Sequence, residues 1–346
     1  MSAWLAALLV VLLSAILTGT MRRYALKKQL LDRPNERSSH TVPTPRGGGI
    51  AIVAAFGAAV IWLWSTQRIG RGPAIALLGA GGWISLIGFL DDHNNIAARW
   101  RLIAHFIGAV WVLAWLDGLP ALPVFGRVWD FGWAGHVAAA VFIVWMLNLY
   151  NFMDGIDAIA GIEAVTVASA GAVVWLLAGT PDAPLTPVLL AAASAGFLVW
   201  NLPPARIFMG DAGSGFLGLT LAVFAVWSGH DDGRLFWCWV ILMGVFVVDA
   251  TTTLIRRVLR GEPFYEAHRS HAYQYAARQL GQHRAVSLSV GAINLGWLLP
   301  IAALVVLGKV DGVVGVVAAY APLVWLAIKL KAGARELQIE APTKGA

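Results

Sequence analysis

Eleven apolar runs of roughly bilayer length succeed one another along the chain, at about 3–20, 47–66, 72–90, 101–116, 134–150, 158–178, 185–200, 212–229, 234–254, 286–307 and 312–330. A membrane-crossing helix needs about 20 mostly apolar residues, because in hydrocarbon the backbone must satisfy its own hydrogen bonds. Composition agrees: 59% of the residues are hydrophobic and 13% charged, against about 45–50% and 25% in soluble domains. A soluble enzyme and a nucleic-acid-binding domain are excluded. The expected fold is an all-α integral membrane protein, a polytopic helical bundle of about eleven transmembrane helices. No segment repeats at a fixed period, so residues 1–346 read as a single membrane domain ending in a short cytoplasmic tail at 331–346. The single cysteine, Cys238, excludes an intrachain disulfide framework and a cysteine-based zinc site.

The net charge of +6 is explained by where the basic residues fall. Taking the connections alternately, 20 of the 25 Lys and Arg lie on one side and 5 on the other. The positive-inside rule then puts the N-terminus outside and the C-terminus in the cytoplasm. The first run has no basic stretch before it and is followed by Met21-Arg22-Arg23. It is expected to be an anchor, not a cleaved signal.

Polar residues at the ends of membrane helices carry the chemical information, since they are costly there without a role. Four clusters stand out, all on the cytoplasmic side by the span count. They are Asp91-Asp92, the series Asn148, Asn151, Asp154 and Asp157, the run Arg206-Ile207-Phe208-Met209-Gly210-Asp211, and His268-Arg269-Ser270-His271. The first connection adds Asp32, Arg37, His40 and Arg46. The three-residue spacing of the Asn/Asp series lines polar groups along one helix face. Several carboxylates without cysteine suit a hard cation such as Mg²⁺, with Mn²⁺ as the alternative. Arginines at 37, 46, 206 and 269 offer planar donors for phosphate oxygens. A helix starting after Gly210 offers backbone N–H groups to an anion, and Phe208 offers a face for a base. No lysine stands near Asp211 in the sequence to neutralise it. Together these features describe phosphoryl transfer from a nucleotide. The competing reading is a lipid-linked-sugar or other secondary transporter. That class places ionisable groups at the midplane of repeated halves, whereas here they gather at helix ends.

These residues resemble a known family, the polyprenyl-phosphate N-acetylhexosamine-1-phosphate transferases of the MraY/WecA-like superfamily. The likeness runs from Asp32 to about His271. It is carried by Asp32 to His40 with Pro43 to Gly49, by Gly88-Phe-Leu-Asp91-Asp92, by Asn148 to Asp157, and by Arg206 to Ser214, with Asp249 at a further similar position. Where the family commonly has further histidines after His271, this chain has Tyr273 and Gln274. That form resembles the O-antigen-initiating, WbpL-like branch. The resemblance implies transfer of N-acetylhexosamine-1-phosphate (GlcNAc, FucNAc or QuiNAc type) from a UDP-sugar to undecaprenyl phosphate, releasing UMP. It implies a multi-pass enzyme of the bacterial inner (cytoplasmic) membrane, among membrane lipids, with its active site facing the cytoplasm; a homodimer is compatible with this. Asp211 would be the chief Mg²⁺ ligand, with Asp154 also at the metal. Asp91, Asp92 and His271 would be catalytic. Asn151, Asp154, Asp157 and Phe208 would form the uridine pocket, and His40, Arg46, Arg206 and Arg269 would bind the remaining substrate groups.

Overall fold

The computed structural model describes residues 2–34, 42–94, 96–180, 184–262 and 269–335. Every one of the apolar runs is helical. In chain order the helices are α1 (Ala3–Lys27), α2 (Ile50–Ser65), α3 (Arg71–Asn94), α4 (Ala98–Trp115), α5 (Gly132–Met153), α6 (Ile159–Leu177), α7 (Leu185–Asn201) and α8 (Asp211–Asp231). They continue with α9 (Gly233–Leu242), α10 (Gly244–Leu259), α11 (Ala272–Leu280), α12 (His283–Val306) and α13 (Gly312–Lys329). By length and apolarity, seven of the described helices can cross a membrane, or eight when α9 and α10 count as one broken span. The chain is therefore a multi-pass helical membrane protein; the expected count of about eleven crossings is not confirmed among the described helices. Helices α2 and α7, of 16 and 17 residues, reach only about 24–26 Å at 1.5 Å per residue. Helix α4 opens with Arg99 and Arg101 in its first turn.

The run at 234–254 is not the straight span expected. It bends by 67° between α9 and α10. Gly244 at the bend packs on the ring of Tyr320, which a Cβ would approach to 2.8 Å. Beyond it the helix is amphipathic: Asp249, Thr253 and Arg257 are buried, while Ile255, Val258 and Leu259 are exposed. A hydropathy average cannot register such a turn, because both halves remain apolar enough.

Helix α8 is the axis of the fold, buried along nearly its whole length among α5, α3 and α9. Small residues let its neighbours approach closely. Gly213 faces Gly49 at the start of α2, where a side chain on either residue would strike the other's backbone. At Gly88 a Cβ would lie 2.5 Å from the backbone of Asp211 and Ala212. That contact sets the end of α3 against the beginning of α8, which brings two of the polar clusters together. Around the C-terminal half of α8, Trp175, Phe224, Trp227 and Trp239 form a set of edge-on and tilted ring contacts.

Two short antiparallel ribbons mark the ends of the bundle. At the end holding the polar clusters, β1 (Leu31–Asp32) pairs with β2 (Thr44–Pro45). At the other, β3 (Leu122–Val124) pairs with β4 (Arg127–Trp129), and Phe125 N–H at its tip donates to Asp311, which also caps α13. Where the expected tail begins the chain is packed: Ala332 is buried, its carbonyl accepts from Arg256 at 2.7 Å, and Gly333 N–H donates to Ser270 at 2.6 Å. Residues 336–346 lie outside the described residues.

Candidate active site

The site is assembled from the ends of α3, α5 and α8, the start of α4 and the connection before α2. Asp91 and Asp92 close α3 and are both buried. Asp91 accepts from Ile96 N–H at 2.6 Å and is bridged by the guanidinium of Arg101, which also stands 3.4 Å from Asp211. Asp92 accepts from Asp211 N–H at 3.1 Å, and Arg46 Nη1 lies 3.6 Å from its carboxylate, while Arg46 Nη2 donates to its carbonyl. The start of α8, expected to offer its N–H groups to a ligand anion, offers them to the Asp92 carboxylate. The partial positive charge of a helix N-terminus stabilises that arrangement. The missing cation beside Asp211 is also supplied in the fold, by Arg101.

The Asn/Asp series only partly follows the expected helix face. Asn148 and Asn151 lie on α5, but the helix ends at Met153, so Asp154 is its C-cap and Asp157 stands in a turn. Two contacts shape that turn. The Tyr273 hydroxyl presses on Gly155 and donates to the carbonyl of Phe152 at 3.1 Å, and Ala158 takes a left-handed φ of 67°. Asp154 is half-buried near the cluster. Removal from water, then the charges of Asp211, Asp92 and Asp157, hold its carboxyl well above the usual carboxylate range. Such a group of like charges gains strongly from a bound cation. Asp157 ties the turn to its surroundings: it accepts from Ala205 N–H at 3.0 Å and lies 3.3 Å from His283 Nδ1 at the head of α12.

The 206–211 segment runs beside the connection before α2 like an irregular strand. Phe208 N–H donates to Pro45 at 2.8 Å, Gly48 N–H to Phe208 and Gly49 N–H to Met209, both at 2.9 Å. This pairing sets Phe208, half-buried, beside Arg46. The Arg206 side chain is exposed; its backbone is held by Trp200 and by Arg22.

His271 is buried at the head of α11, its Nδ1 3.3 Å from Asp249 and its ring stacked 5.6 Å from that of Tyr273. Asp249 also accepts from Ala272 and Tyr273 N–H and from the Thr253 hydroxyl, at 2.9, 3.0 and 3.1 Å. Gln274 accepts from His271 N–H at 3.3 Å. Arg269 is half-buried just before this cap. His40 lies outside the described residues, as do Arg37 and His268. Because Asp249 uses both oxygens as acceptors, Asp249→Asn turns one donor–acceptor pair into two facing donors. The expected cost is about 2 kcal/mol, read as a lower melting temperature of the purified protein; an unchanged melt would refute this capping role.

Among the described residues, no three His, Cys, Asp or Glu form a ready metal cage. The carboxylates of Asp91, Asp92, Asp154 and Asp211 nonetheless fit Mg²⁺, an oxygen-seeking ion that takes one or two protein carboxylates and leaves its other positions to water and substrate phosphates.

Comparison with known proteins matches residues 74–229 to the model of Glycosyl transferase family 4. A phospho-N-acetylmuramoyl-pentapeptide-transferase of Thermosynechococcus vestitus is 33% identical over 71% of this chain and 67% of its own length. The chain belongs to glycosyl transferase family 4. Two further relatives cover more of it. A "Probable undecaprenyl-phosphate N-acetylglucosaminyl 1-phosphate transferase" of Bacillus subtilis is 29% identical over 88% of this chain and 84% of its own length. A decaprenyl-phosphate N-acetylglucosaminephosphotransferase of Mycolicibacterium smegmatis is 28% identical over 81% and 77%. The family match spans α3 to α8 and so includes Asp91, Asp92, Asp154 and Asp211, the acids that the fold gathers.

Three residues at this candidate site were not singled out from the sequence. Arg101 entered only the charge count. Asn201 accepts from Ala158 N–H and donates to Ile207, both at 2.9 Å, joining the two signature segments. His283 reaches Asp157 from 126 positions away. None carries a local signal, since each is defined by a partner distant in the chain.

Proposed function

We propose that this chain transfers an N-acetylhexosamine-1-phosphate from a UDP-sugar to undecaprenyl phosphate and releases UMP. The observation that carries the reading is the convergence of Asp91, Asp92 and Asp211 with Arg46 and Arg101 at one end of the bundle, beside the Asn151–Asp157 turn. The named activities of the family-4 relatives are of this kind. An oxygen of the lipid phosphate attacks the β-phosphorus, the phosphoanhydride bond opens, and UMP leaves. Two anionic substrates must be brought together, so the protein's work is charge compensation and alignment. Arg46 and Arg101 supply donors for phosphate oxygens. Asn151, Asp157 and Phe208 shape the uridine side, and His271, fixed by Asp249, stands at the sugar-diphosphate side with Arg269. Mg²⁺, held by Asp211 with Asp154 beside it, would supply the remaining positive charge. A lipid phosphate ionised at neutral pH needs no base.

The finer reading is a GlcNAc, FucNAc or QuiNAc donor and a role in starting O-antigen in a bacterial inner membrane, with the site facing the cytoplasm. Turnover of the purified protein with undecaprenyl phosphate and a panel of UDP-N-acetyl sugars tests the substrates. Sidedness rests on the 20-to-5 distribution of basic residues. In a Cys238→Ser background, S270C is expected to react with an impermeant thiol reagent only after the membrane is opened. Labelling in intact cells would reverse the orientation.

A further inference from the structure

Glu163 lies on α6, six positions after Asp157, and is fully buried. Asn294, also fully buried, stands where α12 widens into a π turn at Asn294–Leu298. Such turns recur at functional positions. Asn294 Nδ2 donates to Glu163 Oε2 at 2.7 Å and to the Thr166 hydroxyl at 2.8 Å, so both amide hydrogens are used. Thr166 passes its own hydrogen to Ile162 at 2.8 Å. Two oxygens in the same pair, Glu163 Oε1 and Asn294 Oδ1, have no hydrogen-bond partner and no access to water.

A carboxylate at Glu163 would leave both oxygens as unsatisfied acceptors in the apolar interior, one of them sharing a full charge. A single proton on Oε1 would remove the charge and, turned toward Asn294 Oδ1, would give that oxygen a donor in the cyclic pairing of a carboxylic acid with an amide. We infer that Glu163 and Asn294 form an intramembrane proton-binding site, in which Glu163 stands as the neutral acid and clasps α12 to α6. Among the described residues, no charged side chain is paired with Glu163. Helix α7 carries no titratable side chain, and neither does α12 beyond His283 and Arg284 at its head. Helix α5 brings the phenol of Tyr150, which donates to Ala160, with His136 at its far end. The groups of α8 and α9 are Asp211, His230, Asp231 and Arg234 near the helix ends and the buried thiol of Cys238, which donates to Ala302. On α13, the Tyr320 phenol donates to Val240.

The site has a place in the architecture. Along one face of α12, His283 meets Asp157, the Ser287 hydroxyl donates to the Asp157 carbonyl at 2.8 Å, Gly291 packs on Ile162, and Asn294 meets Glu163. One seam therefore runs from the clasp to the turn that carries Asp157. The inference goes beyond the proposed transferase chemistry, and its test uses no turnover. A carboxyl that keeps its proton in the folded chain and loses it on unfolding makes stability fall as pH rises, because the native state then binds one proton more. Glutamine reproduces the neutral acid, its amide donating to Asn294 Oδ1.

The experiment is a thermal melt of the purified full chain in lipid nanodiscs across neutral to alkaline pH, for wild type, E163Q and E163A, with infrared spectra of wild type and E163Q. E163Q is expected to melt at or above the wild-type temperature, with the gap widening as pH rises, and E163A to melt lower. The difference spectrum is expected to contain the band of a protonated carboxyl group. E163Q melting as low as E163A, absence of that band, or wild-type stability that depends on sodium in place of choline would each overturn the inference and mark Glu163 as an ionised ligand of a cation.

Discussion

Asp211→Asn is expected to lower turnover on the order of 10²–10³-fold, the effect of removing one group that stabilises charge in a transition state. The substitution conserves shape. The backbone N–H that Asp211 gives to Asp92 is untouched, and Arg101 keeps its bond to Asp91. With its side chain 31% exposed, the site tolerates an amide, so the melting temperature is expected to stay near that of the wild type. The loss should therefore appear in kcat of a folded protein. EDTA is expected to abolish wild-type turnover and Mg²⁺ to restore it; turnover that survives chelation would remove the metal from the account.

Arg101→Ala is the second large effect. Among the described residues, it leaves Asp91, Asp92 and Asp211 with Arg46 as the remaining cation bonded to the cluster. Because Arg101 is 34% exposed on its side chain, the guanidinium can turn from the carboxylates to an arriving phosphate. Losing it removes a phosphate donor and a carboxylate partner together. Turnover is expected to fall about 10²-fold, while half-maximal activity should require less Mg²⁺, since the metal no longer competes with a guanidinium at Asp211. A variant with wild-type kcat would show that Arg101 serves packing alone.

Much of the site was legible because charge at a membrane helix end is costly without a use. Asp91-Asp92, Asp154 and Asp211 stood out against apolar runs for that reason, and the fold brings them to one place. What escaped notice depends on tertiary partners. Asp211 has no lysine near it in sequence, yet Arg101, 110 residues earlier, reaches it across the α3–α8 contact that Gly88 permits. The helix face drawn from Asn148 to Asp157 stops at Met153, because Tyr273 and Asn201 hold the following residues in a turn. Isolated polar residues within the spans carry no such signal, because their partners too are tertiary: His105 meets Asn148, His136 accepts from Leu119 N–H, and Glu163 accepts from Asn294. The bend at Gly244 was hidden because α9 and α10 together pass as one apolar span.

The central claim is that the bond broken joins the two phosphates of the UDP-sugar. Positioning and charge stabilisation on phosphate oxygens are what the Asp91, Asp92, Asp211, Arg46 and Arg101 cluster can supply. The most direct measurement follows the label from a UDP-N-acetylhexosamine carrying it in the β-phosphate, incubated with purified protein and undecaprenyl phosphate. The label is expected to move to the lipid fraction, unlabelled UMP to be released, and added UMP to drive the reaction back. Label recovered in UDP, with none in lipid, would mean transfer of the sugar alone and would contradict the claim.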